Sequence, residues 1–215
     1  MILYITQNSF YFVHKYFLPF FEEDSEVIYV SENKRGLIKK YKEILYYFGF
    51  WNTLRSFLNE IIYFIKLFKR EKKVFSSKTT DQYLNIYLEN KLKTYKFKTI
   101  ISIGCPCIID TQLQEKYNIK ILNLHGGIMP FQNGRFSPIK SIKKKHKYLG
   151  ATLHIISSDF DSGKILSQDF FKIKDNNLLK NYNKVLFTAS KLLKDYLING
   201  KKKVISSSIK KDLIK

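Results

Sequence analysis

Cysteine is almost missing from this sequence: Cys105 and Cys107 are the whole complement. A pair separated by one residue closes no useful disulfide loop, which excludes a disulfide-stapled scaffold and points to a reducing compartment. No CxxC or HxxxH element stands elsewhere to complete a zinc site around them. Long apolar runs are missing too. None that is free of charge approaches the roughly 18 residues of a membrane span, and the opening MILYITQNSF has neither the basic segment nor the cleavage site of a secretory leader. A cytoplasmic protein is the expectation. Acidic residues are scarce, 18 against 38 lysines and arginines, for a net charge of +20 and a pI near 9.7. Such an excess often marks a partner that is nucleic acid, a membrane surface or a phosphorylated substrate. Here alanine is nearly absent while lysine, asparagine, isoleucine, tyrosine and phenylalanine are all abundant. That is the pattern of a compositional bias, and much of the charge reads as solvated surface.

With 45% hydrophobic residues over 215 positions, the chain can bury one ordinary core. We expect one domain over 1–200, followed by a basic tail over 201–215. Short apolar, β-branched runs at 2–6, 26–31, 99–104, 119–125 and 151–158 read as strands. Between them, 10–21 reads as an aromatic helix that Pro19 kinks or ends. A short amphipathic helix is expected around 108–117, and a long one over 177–198 that stops at Gly200. Runs apolar on both faces suit a parallel sheet covered by helices. The expected fold is α/β, a Rossmann-like, mostly parallel sheet flanked by helices, with ligand sites beyond the carboxyl ends of the strands.

From Trp51 to Phe68, apolar residues recur at helical spacing: Leu54, Phe57, Leu58, Ile61, Ile62 and Ile65 share one face, with Arg55, Glu60 and Lys66 largely off it. The periodicity predicts a helix packed on the sheet. A helix resting on a membrane with its lysines toward headgroups fits the same pattern.

Two clusters carry chemistry. In ILNLHGGIMP, Asn123 and His125 are two apart at the end of a strand, so an amide and an imidazole project to one side. A turn asparagine with a satisfied surface histidine would give the same letters. In SSDFDSGKIL, Asp159 and Asp161 follow another strand. They could form an Asx turn, hold a divalent cation against a sugar-nucleotide diphosphate, or supply a carboxylate partner to His125. The last option accounts for both clusters together.

These residues, Asn123-x-His125, then Pro130, Gly134, Gly150, His154 and the DFDSG loop, resemble the core of the formyltransferases that use 10-formyltetrahydrofolate. The resemblance is clear over about 100–168 and looser through the last helix. It implies the formyltransferase fold, with Asn123, His125 and Asp161 as the catalytic trio. It also implies 10-formyltetrahydrofolate as formyl donor with no metal, held by backbone groups at Cys107 and Ile109 on one loop and at Ser157, Ser158 and Phe160 on the other. His154, within its strand rather than at its mouth, reads as structural.

Departures narrow the acceptor. Gly126 and Gly127 stand where the family usually has proline-serine, and FQNGRF replaces tyrosine-arginine-glycine. TQNSF replaces the glycine-rich phosphate loop of the purine enzyme, and little chain follows the catalytic half, which disfavours glycinamide ribonucleotide and tRNA. The expected acceptor is a small-molecule amine, the amino group of a nucleotide-linked sugar for surface polysaccharide synthesis, with Asn8, Ser9 and Arg135 as candidate contacts. A formyltetrahydrofolate hydrolase and the purine enzyme remain alternatives on the same trio. Two other classes stay open. A DxD glycosyltransferase would need metal, and a basic binding protein for nucleic acid or membrane would tolerate loss of His125. No specific nucleic-acid partner is expected; a homodimer and a peripheral membrane contact through 51–68 are compatible with the sequence.

Overall fold

The structure, a computed structural model, describes residues 1–7, 15–21, 25–31, 34–67, 74–75 and 80–200. Asn8, Ser9 and the tail 201–215 lie outside the described residues, as does most of the first half of the expected aromatic helix. Contacts divide the chain into two compact units, Met1–Ile121 and Leu122–Lys215.

In the first unit, β1 (Ile2–Gln7) pairs in parallel with β2 (Ser25–Val30) on one side and with β4 (Thr99–Ile103) on the other. The short β3 (Val74–Phe75) extends the order to β3-β2-β1-β4, with β5 (Lys120–His125) starting beside β4. Leu3, Tyr4 and Ile5 are buried one after another, as are Ile100 and Ile101. Consecutive burial means that both faces of the strand are covered, the condition under which parallel sheets persist. Only α1 (Lys15–Phe17) remains of the expected first helix among the described residues, and a 3-10 turn over Leu18–Phe21 contains Pro19. The ring lacks an N–H to donate, so the α pattern ends there.

Helices α2 (Lys34–Phe48), α3 (Phe50–Leu67), α4 (Asp81–Thr94) and α5 (Gln112–Lys116) complete this unit. Thr80 caps α4 by accepting the N–H of Tyr83, and Leu84, Leu88 and Leu92 bury one stripe of it. The buried Lys91 pairs with Glu26 of β2. Helix α3 forms where periodicity predicts, but the expectation that it packs on the sheet is not met. Leu54, Phe57, Leu58, Ile61 and Ile62 are exposed, and its neighbour is α2.

The sheet is mostly parallel, as expected, and its antiparallel part lies in the second unit. The end of β5, β6 (Tyr148–Ile155) and β7 (Ile165–Lys172) pair antiparallel, and β7 has no counterpart among the expected strands. A short turn after β6 reverses the chain, which an antiparallel neighbour allows and a parallel one does not. Helix α6 (Ser137–Lys143) precedes β6. The last helix, α7 (Leu178–Asn199), is capped by Asn177 and ends at Gly200 in the left-handed region, as its sequence predicts. Val185, Ala189, Leu192 and Leu193 form its buried stripe, and it lies against β6 and β7.

At Gly150 in β6 there is no room for a side chain beside β7. A Cβ there would run into the carbonyl oxygen of Asp169 and sit 2.9 Å from Phe170. Gly150→Ala is therefore expected to cost about 1–3 kcal/mol through strand displacement, measured as a lower urea midpoint at unchanged slope. A midpoint equal to that of the parent would show that this contact does not set the strand spacing.

Candidate active site

Side chains alternate along β5, so Asn123 and His125 leave it on the same side. The antiparallel register sets Asn123 opposite His154 and His125 opposite Thr152. His154 is buried, and its Nδ1 lies 2.9 Å from the carbonyl oxygen of Ile155, which fixes the proton on that nitrogen. Nε2 is left with its lone pair and accepts from the Asn123 amide Nδ2 at 3.1 Å. Burial, more than the nearby His125, holds the His154 pKa below its ordinary 6.5, against the opposing pull of the Ile155 carbonyl and Asp161. The neutral ring is the form that can orient the amide. The strand histidine expected to be structural is buried as expected, and it also sets the direction of Asn123.

Asp161 enters from the turn after β6 with φ of 48°, a conformation that aspartate tolerates better than most residues. Its Oδ2 accepts the N–H of Gly134 at 2.6 Å, while Oδ1 lies 3.4 Å from His125 Nδ1 and 3.9 Å from His154 Nε2. One largely buried carboxylate thus faces two imidazoles. The other nitrogen of His125, Nε2, is 2.6 Å from the carbonyl oxygen of Gln132. His125 thus has a carboxylate near one nitrogen and a main-chain carbonyl on the other. The trio Asn123, His125 and Asp161 comes together, with His154 as a fourth member. Asp159 does not join it; its carbonyl oxygen accepts from Ser157 and Ser162.

The loop over 126–136 closes on His125 because Gly127 lacks a side chain. A Cβ there would strike the Gln132 carbonyl and lie 2.6 Å from both His125 Nε2 and Ser137 Oγ. Of the two glycines in the departure, Gly127 is therefore the one that lets the loop carbonyl reach the imidazole. Gln132, buried in this loop, accepts the N–H of Ile128 at 3.1 Å and donates to the carbonyl of Tyr148 at 2.7 Å. Thr152 donates to the Gly127 carbonyl at 2.7 Å and accepts the Met129 N–H at 3.1 Å, and Gln168 donates to the Met129 carbonyl at 2.9 Å. Sequence reasoning missed Gln132, Thr152 and Gln168. The signal available was a polar residue inside an apolar strand, as in ATLHII and ILSQDF.

The remaining candidates fall on two loops. After β4, Asp81 of α4 accepts the Ile108 N–H at 2.9 Å, and Asn85 bonds both the Ile108 carbonyl and the Asp110 N–H. These are the residues alternating with Cys107, half-buried, and Ile109, buried. Burial pushes the nearby Cys105 thiol up to about 12, which keeps it protonated. After β6, Ser157 and Ser162 share a hydroxyl contact of 2.8 Å, Ser158 is exposed, and the Phe160 ring is 77% exposed. Arg135 is exposed with its guanidinium 5.2 Å from the Phe136 ring. Among the described residues no group of three or more histidine, cysteine, aspartate or glutamate side chains is arranged to hold a metal ion.

The sequence profile of the formyl transferase family matches residues 65–197, more than half of the chain. Over 125 residues the chain is 31% identical to a methionyl-tRNA formyltransferase from Hydrogenobaculum sp. (strain Y04AAS1), covering 58% of this chain and 40% of that protein. Among solved structures it is similar to a sugar N-formyltransferase from Shewanella sp. FDAARGOS_354 (TM-score 0.58, 19% identity, 96% of this chain and 74% of that one). It is also similar to glycinamide ribonucleotide transformylase 1 from Symbiobacterium toebii (TM-score 0.60, 12% identity, 90% and 84%).

The neutral state of His154 makes stability pH-dependent in a defined direction. Above its ordinary pKa of 6.5 the ring is neutral folded or unfolded and contributes nothing. Below it the unfolded chain takes up a proton that the folded ring refuses, so stability falls until the lower folded pKa is passed. Between about pH 7.5 and pH 5.5, the parent protein should lose more stability than His154→Gln, by at most about 1.4 kcal/mol per pH unit in urea titrations. Equal losses would mean that His154 takes up its proton in the folded state as readily as in the unfolded chain.

Proposed function

The chain belongs to the formyl transferase family, and on that footing we propose that it moves a formyl group from 10-formyltetrahydrofolate to a primary amine. The observation that carries this reading is the doubly engaged imidazole of His125, with Asp161 on one nitrogen and Asn123 two residues away on the same strand face. The donor supplies an activated formyl carbon. As the amine nitrogen bonds to that carbon, its carbonyl oxygen takes the negative charge. The His125 imidazolium stabilises that charge, joined by the Asn123 amide hydrogen that His154 does not hold. Asp161 accepts the proton leaving the amine, and a proton returns to the donor nitrogen as its bond to carbon breaks.

For the donor we assign the backbone of Cys107 and Ile109 and the loop of Ser157, Ser158 and Phe160. The clamp that Asp81 and Asn85 place on the first loop supports this, as does an aromatic ring left in solvent beside Asp161. We assign the amino group of a nucleotide-linked sugar as acceptor. The reading rests on the basic surface and on Arg135 stacked near Phe136, which suit a nucleotide diphosphate. The reaction belongs in the cytoplasm, where donor and acceptor of this kind are made.

Release of tetrahydrofolate, followed optically with a panel of nucleotide-linked amino sugars, tests the reading. Release that depends on one sugar is expected; release without any acceptor would make the protein a hydrolase, and no release with no folate binding would overturn formyl transfer. His125→Ala and Asp161→Ala should each lower turnover on the order of a hundred- to a thousandfold with folding retained. Asn85→Ala, which loosens the first loop without touching the trio, should raise the KM for the donor about fivefold at nearly unchanged kcat. A variant that binds the donor as tightly as the parent would remove that loop from the donor site.

A further inference from the structure

The hairpin of α2 and α3 has no part in the chemistry above, and it carries the least explained surface of the molecule. The two helices turn at Gly49 and are tied by Asn52 to the Phe48 carbonyl at 2.9 Å and by the Tyr41 and Phe57 rings, 5.9 Å apart. Ile44 and Phe48 are buried. The apolar face of α3 does the reverse: Trp51, Leu54, Leu58, Ile61 and Ile62 are exposed, Trp51 by 77%, and Phe57 stays exposed at the edge toward Tyr41 of α2. At 100° per residue these six fall within one broad stripe. Leaving such a stripe in water is costly, and a monomer rarely keeps one without a use.

Charge decides what covers it. From 34 to 67 the sequence holds seven basic residues and two acidic ones. Lys39 and Lys42 on α2 are exposed, and Arg55 is exposed at the edge of the α3 stripe. A second copy would bring two such cation-rich hairpins together, with a formal +20 on each chain. A surface that is apolar beneath and anionic above complements both features. No helix among the described residues is long and apolar enough to cross a membrane, so the contact considered is one along the bilayer surface.

We propose that α3, supported by α2, is a docking surface for an anionic phospholipid bilayer. Its apolar stripe lies at the boundary between headgroups and acyl chains, and Lys39, Lys42 and Arg55 lie among the phosphates. This surface is independent of formyl transfer, and its test needs no activity.

The chain has a single tryptophan, Trp51, so its fluorescence reports this face directly. The full-length protein is mixed with phosphatidylcholine vesicles, with and without phosphatidylserine, and followed by emission and by sedimentation. A blue shift with co-sedimentation is expected on the anionic vesicles. Three cations near the surface correspond to about a hundredfold preference over neutral ones, weakened by salt. Leu58→Glu with Ile62→Glu should abolish the shift, while Arg55→Glu should reduce the anionic preference about fivefold or more and leave the far-UV circular dichroism unchanged. Trp51 emission that no vesicle moves, with a monomeric mass by light scattering, overturns the proposal and leaves the face to a protein partner. Emission already blue-shifted without lipid, together with a dimeric mass, overturns it in favour of a second copy.

Discussion

One carboxylate organises the second unit. Asp161 holds the backbone of the loop at Gly134, faces His125 at 3.4 Å, and approaches His154 from the other side. The surroundings of the two rings are not symmetric. His154 donates to a carbonyl and accepts from an amide, the pattern of a neutral ring, whereas His125 lies near a carboxylate at one nitrogen and a main-chain carbonyl at the other. Two rings near one carboxylate thus differ in their second partners. The backbone geometry of β5 and β6 enforces the difference, because the register that brings Asn123 against His154 sets His125 two pairs along, opposite Thr152.

Around this pair the structure keeps buried polar groups at a density that an apolar core would avoid. Gln132, Thr152 and Gln168 are buried, and each bonds main-chain atoms of the loop over 126–132. Such a network is stabilising only when complete, since an unmet partner costs the full desolvation of the group. The loop consequently has one good arrangement rather than many comparable ones. That is the property a site needs when it must hold an imidazole to a fraction of an ångström.

Much of this was legible in the letters. Apolar runs over 2–6, 26–31, 99–104 and 119–125 are strands because consecutive burial requires residues apolar on both faces, and the last helix carries both its asparagine cap and its glycine stop. That Asn123 and His125 share one side was legible because strand alternation is local, whereas the choice of Asp161 as their partner came with the resemblance to the family. Less legible was anything set by pairing. That β6 runs antiparallel depends on a turn whose shape involves Asp161 at positive φ, and β7 reads ILSQDFFK, too polar to stand out from loop sequence until Gln168 has its partners. The role of His154 was likewise hidden, since only the register reveals which residue it faces. Helix α3 misled in the other direction: a moment in the sequence says that a face is apolar but not that the protein itself covers it.

His154 shows what a supporting residue can add without touching a substrate, through its hold on Asn123. An amide side chain is nearly symmetric in shape, and its two ends, one giving hydrogens and one receiving them, exchange by a half-turn that costs little on its own. The lone pair of His154 breaks that symmetry at 3.1 Å. Without it the side chain would spend comparable time presenting oxygen, and an oxygen aimed at a developing negative charge repels what it should attract. The histidine thus stores a direction, and the site reads a polarity that shape alone does not encode.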